Sequence, residues 1–101
     1  MYIIKQYTFD KLKKLNEKLK TDKITIKPST VKNKKISIFI NNNKIYDIGD
    51  SRYLDFPNYI EKRGAEYADE RRRLYYIRHN KDPDIKDGAV MKSWWAKWLL
   101  W

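Results

Sequence analysis

The chain has no cysteine and a single histidine. Without thiols there are no disulfides, no thiolate metal sites and no thiol nucleophile, and one imidazole cannot build a multi-histidine metal cluster. Glycine and proline number three each in 101 residues, and no repeat or domain linker is visible. No stretch approaches the ~20 apolar residues of a membrane span, and Met1-Tyr2-Ile3-Ile4-Lys5 is too short and too soon charged for a signal peptide. A soluble protein is therefore expected. Its length is that of one small domain, with no room for a separate catalytic one.

Positive charge is abundant: 23 Lys and Arg face 13 Asp and Glu, a net charge of +10. Hydrophobic residues at 42% and aromatics at 15% are too many for a disordered basic tail, so a small aromatic core is expected. Such a field suits nucleic acid, anionic lipid or the acidic face of a larger assembly. The charge is uneven, because residues 1 to 49 hold 12 basic and 4 acidic side chains. All six arginines lie between Arg52 and Arg78, and the first half carries only lysine. Lysine attracts polyanions with little geometry, whereas arginine forks make directed bidentate contacts.

The pattern predicts an α+β domain, with an N-terminal amphipathic helix, a small three-stranded antiparallel meander, and a C-terminal helical half closed by a Trp-rich segment. Thr8 is placed to cap a helix running to about Lys20, with Phe9, Leu12, Leu15 and Leu19 as its apolar stripe. Lys11, Lys14 and Lys18 lie off that stripe. Strands are expected over 23–27, 35–40 and 44–48, with Asn41-Asn42-Asn43 turning the last two into a hairpin and Gly49-Asp50 closing the sheet. Pro57 opens a short helix that stops at Gly64, and a longer one runs from Ala65 to about Asn80, acids first and bases last. Lys81-Asp-Pro-Asp stops it, Asp87-Gly88 makes a turn, and residues 93–100 form a closing helix.

Three clusters are candidate binding surfaces. Lys34, Lys35 and Lys44 bring cations to the strand ends beside Lys11, Lys14 and Lys18, a surface for phosphates or simply for water. On the long helix, Arg71, Tyr75 and Arg78 form one stripe and Arg72, Tyr76 and His79 another. Guanidiniums interleaved with rings suit phosphate clamping and base stacking, and Arg71, Arg72, Tyr76 and Arg78 are the candidate contacts. The competing reading turns Tyr67, Leu74 and Ile77 to the core and pairs the arginines with Glu66, Asp69 and Glu70. The four tryptophans, Trp94, Trp95, Trp98 and Trp101, either complete the core, dock into another protein, or sit at a membrane interface; the second reading makes all four protein-interaction residues.

Catalytic equipment is lacking. Arg78-His79-Asn80 has no second histidine to hold a metal, and Asp82, Asp84 and Asp87 lack the glycine of a calcium loop. There is no Gly-rich phosphate cradle and no nucleophile elbow, and Ser29 and Ser37 have no base nearby in sequence. The expectation is a non-enzyme with no cofactor, no metal and no small-molecule substrate.

Three motifs carry a likeness. These are Ile48-Gly49-Asp50-Ser51-Arg52-Tyr53, the run Asp69-Glu70-Arg71-Arg72-Arg73 with Tyr76 and Arg78-His79, and Ser93-Trp94-Trp95-Ala96-Lys97-Trp98-Leu99-Leu100-Trp101. In this order, over residues 35–101, they resemble a family of short basic proteins of large double-stranded DNA viruses. The departures are Tyr67 in place of a histidine and Met91-Lys92-Ser93 in place of a Pro- or Gly-bearing entry. The resemblance implies a viral context, in which a small basic protein without catalytic equipment is expected to be a minor virion structural protein, either lining the capsid against its proteins or holding packaged DNA. The alternative is a sequence-nonspecific module, binding DNA or RNA in the infected cell.

Overall fold

The computed structural model describes residues 1–19, 22–81, 84–86 and 89–101. It has the expected α+β architecture, an N-terminal helix, a three-stranded antiparallel sheet and then helices. The chain divides into two compact units, Met1–Tyr53 and Leu54–Trp101.

In the first unit, α1 (Gln6–Lys18) precedes β1 (Ile24–Pro28), β2 (Lys34–Ile40) and β3 (Asn43–Asp50). The strands lie in the order β1-β2-β3, both pairs antiparallel. Alternation puts Ile24, Ile26, Ile36, Ile38 and Ile48 on one face, all buried. The β2–β3 hairpin turns on Asn41 and Asn42, at φ 50° and 70°, the left-handed conformation that asparagine tolerates and a two-residue hairpin demands. A register shift between Ile38 and Phe39 leaves Ile45 as the extra residue of β3, the local arrangement of a β-bulge. Pro28 is the last residue of edge strand β1, a position that a proline tolerates.

The start of α1 differs from expectation. The helix begins at Gln6, and the Lys5 carbonyl accepts from the N–H groups of Thr8 and Phe9 at 3.0 and 3.4 Å. Thr8 is therefore inside the first turn, not at the cap. It is fully buried with Leu12, while Phe9 and Leu19 are exposed, so the buried side is rotated from the predicted stripe. The last turn of α1 is tied to β1 by Asn16, whose amide Nδ2 donates to the Ile24 carbonyl and whose Oδ1 accepts from the Ile24 N–H, both at 2.9 Å. One side chain thus replaces a missing strand at that edge.

In the second unit, α2 (Phe56–Arg63) and α3 (Ala65–His79) share Gly64 as their junction. Asp55 caps α2, its carboxylate accepting from the Asn58 N–H at 3.2 Å. Gly64 has φ 87°, where any Cβ is strained although the space around it is open. A two-residue ladder, β4 (Ile85–Lys86) with β5 (Ala89–Val90), precedes α4 (Lys92–Leu100) and was not expected from sequence. The Asp87-Gly88 turn and the acids Asp82 and Asp87 lie outside the described residues.

Asp47 organises the first unit. Its Oδ1 accepts from the buried hydroxyls of Ser29, at 2.8 Å, and Ser37, and its Oδ2 meets the Lys44 ammonium at 2.6 Å. Ser29 Oγ also accepts from the Val31 N–H at 3.0 Å, so the cluster pins the β1–β2 connection to β3. Burial pushes the Asp47 carboxyl up, but hydrogen bonds from Lys44, Ser37 and Ser29 and the Lys44 charge prevail and hold it at about 2, against an ordinary 3.8. A carboxyl depressed on folding stabilises above its unfolded pKa, and that contribution is lost as pH falls through the folded one. Asp47→Ala should lower unfolding free energy by about 2 kcal/mol at pH 7. In urea unfolding followed by circular dichroism, the gap to the wild type should close as pH falls from about 4 toward 2.

Candidate nucleic-acid interface

The lysines of α1 fall where a helix of 3.6 residues per turn puts them. Tyr7, Lys11, Lys14 and Lys18 follow one another at spacings of four, three and four along one flank, beside the buried side of Thr8 and Leu12. Lys14 and Lys18 are exposed and Lys11 is half-buried. The Lys11 ammonium stands 5.4 Å from the centroid of the Tyr7 ring, a cation–π contact. The rise of an α-helix spaces Lys11 from Lys18 by about 10 Å.

The sheet lysines differ from one another. Lys44 is exposed and holds Asp47. Lys34 is half-buried opposite Asp50, where Arg52 donates to both carboxylate oxygens at 2.9 and 2.7 Å. The Arg52 fork holds the Asp50 carboxyl at about 2, and Asp50 raises Arg52 in turn. Lys35, expected at the surface, is only 3% exposed, with its ammonium 5.4 Å from the centroid of the Tyr2 ring. It is corrected from phosphate contact to buried cation. Lys27 and Phe39, which sequence reading passed over, make a further cation–π pair at 5.4 Å, on the sheet face opposite the isoleucines. Their signal was register: antiparallel pairing sets Thr25 against Phe39 and Lys27 against Ser37.

The arginines of α3 turn to groups of their own unit. Arg71 lies over Tyr59 at 5.4 Å, Arg72 over Phe56 at 3.9 Å and Arg78 over Tyr75 at 6.0 Å. Arg72 also pairs with Asp69 at 3.1 Å, and Arg73 grips Glu70 through Nε at 2.9 Å and Nη2 at 2.5 Å. The Arg73 fork lowers the Glu70 carboxyl and is itself raised. The interleaving of guanidiniums with rings is real, but it is satisfied within the unit. Of the four predicted contacts, Tyr76 and Arg78 are exposed and Arg71 and Arg72 are half-buried. The competing reading fares no better on its core, since Tyr67, Leu74 and Ile77 are exposed and α3 buries Ala68 and Tyr75 instead. Its pairing of Arg72 with Asp69 and Arg73 with Glu70 does occur.

The tryptophans divide into two pairs. Trp95 and Trp101 are buried, whereas Trp94 and Trp98 are half-buried and stack on each other at 6.1 Å and 7°. Trp101 stacks on Tyr75 at 4.4 Å and 11° and meets Tyr59 at 6.2 Å, while Tyr75 touches His79 at 4.3 Å. A docking role shared by all four side chains is corrected on this account, because a buried ring has no surface to offer. Only Trp94 and Trp98 keep part of theirs.

Among the described residues no group of three His, Asp or Glu could hold a metal ion, and no helix is long and apolar enough to cross a membrane. No family model, no curated protein and no solved structure matches the chain.

The division of the tryptophans is directly measurable. Trp101→Ala should destabilise the second unit by about 3–5 kcal/mol, the cost of emptying a packed aromatic site, and Trp98→Ala by about half that or less. Equal losses in thermal or urea unfolding would contradict the division.

Proposed function

We propose that this is a non-catalytic protein that binds nucleic acid through its phosphates, without reading sequence, using the lysine-rich unit Met1–Tyr53. That unit holds 13 basic and 5 acidic residues, against 10 and 8 in Leu54–Trp101. The observation that carries the reading is the flank of α1, where Lys11, Lys14 and Lys18 share one side behind Tyr7. Lysine binds phosphate as a point charge and asks for no fixed geometry. The arginines that would supply bidentate recognition are engaged with Tyr59, Phe56, Asp69, Glu70 and Tyr75. Affinity should therefore come from counterion release and be indifferent to base sequence. In the setting suggested by the resemblance to small viral proteins, the polyanion is a viral genome, bare or packaged. Contacts with capsid proteins would then fall to Trp94 and Trp98.

The test is fluorescence anisotropy on a labelled random duplex across about 50 to 200 mM salt, the range in which phosphate-driven affinity collapses. With about six phosphates neutralised, log K should fall against log salt with a slope near −5. Replacing Lys11, Lys14 and Lys18 together with Ala should flatten the slope by about 2 to 3, each lost contact removing about one. Arg78→Gln should leave it nearly unchanged. No binding at the lowest salt, or a slope carried by Arg78, would refute the proposal.

A further inference from the structure

Helix α3 carries aliphatic side chains on its outer side as well as its inner one. Ala68 and Tyr75 are buried on one side, yet Leu74 is 37% and Ile77 54% exposed on the side away from them. A helix that satisfies its core with one stripe ordinarily turns polar residues outward. Here Leu74 and Ile77 stand at a 3-4 spacing between Glu70 on α3 and Lys81, in the turn two residues past its end, so the row runs acid, apolar, apolar, base. Spacing of this kind is what one helix offers another across a packed seam.

We propose that this row is the seam of a twofold-symmetric dimer of the chain, with two copies of α3 packed antiparallel. The row is self-complementary only in that direction. When the dyad passes between Leu74 and Ile77, Leu74 of each copy meets Ile77 of the other, and Glu70 of each meets Lys81 of the other. A parallel pair would set acid on acid and base on base, and a twofold contact demands a patch that matches itself reversed. Lys81 is exposed and has no ion-pair partner among the described residues. Glu70 already accepts from Arg73, and a carboxylate has lone pairs for both donors. Arg71 and Arg78, which flank the row on one side, would repel their counterparts if they projected along it. They are drawn instead over Tyr59 and Tyr75. Two helical turns make a small interface, so the dimer is a weak one that forms at micromolar concentrations and above. The proposal stands apart from nucleic-acid binding and uses none of the α1 lysines.

Sedimentation velocity of the nuclease-treated full chain, from about 10 µM to about 1 mM, should show a reversible monomer–dimer equilibrium. Ile77→Glu should raise the dissociation constant at least about tenfold. Glu70→Lys and Lys81→Glu should each weaken the dimer, and the two together should restore it to within about threefold of the wild type. That restoration is the signature of antiparallel pairing, and it tests the seam even if Ile77→Glu does not fold. A single-chain mass at every concentration would overturn the proposal. So would a dimer indifferent to Ile77→Glu, or a double exchange that fails to restore.

Discussion

In the helical unit the guanidinium of Arg72 lies 3.9 Å from the centroid of Phe56, and the other arginines of α3 are likewise engaged within the unit. Arg71 and Arg78 cover tyrosines, and Arg73 closes on Glu70. Guanidinium is weakly hydrated and planar, so it lies flat on a ring at little desolvation cost and leaves its edge in water. The consequence is a core roofed with cations. Trp101 and Tyr75 stack beneath it, with Tyr59 alongside. The guanidiniums of Arg71, Arg72 and Arg78, expected from sequence to face phosphates, are thereby drawn over rings of their own unit.

The lysine-rich unit follows the opposite economy. Its fixed electrostatics are concentrated around Asp47, with Ser29, Ser37 and Lys44, and around Asp50 with Arg52. The lysine flank of α1 lies outside both clusters. Lys35 is buried on β2, with its ammonium against the Tyr2 ring.

Periodicity and turn chemistry carried most of the fold. The Asn41-Asn42 hairpin, Pro57 inside α2 and Gly64 between α2 and α3 were all legible, because each is a backbone requirement that few residues meet. The face of α1 was legible only to within a rotation. A buried threonine and a paired asparagine, Thr8 and Asn16, did work that hydrophobicity counting assigns to Phe9 and Leu19. On α3 the pattern had no single answer, since apolar and basic residues alternate around the whole helix. Tertiary contacts decided that Tyr75 goes in and Ile77 stays out. The burial of Lys35 was invisible for a similar reason: its neighbour is a ring 33 positions away in sequence. The separation between arginines held over the rings of α2 and α3 and the lysine row of α1, on which the proposed function depends, needed three-dimensional distances.

The most direct test of that separation is to map where nucleic acid touches the full chain, by backbone NMR shifts on adding a short random duplex at low salt. Perturbations concentrated along α1, at Lys11, Lys14 and Lys18 and their neighbours, with α3 unmoved, are the predicted outcome. Shifts centred on Arg71, Arg72 and Arg78 with a silent α1 would contradict it, and would mean that the ring-bound arginines exchange their partners for phosphate.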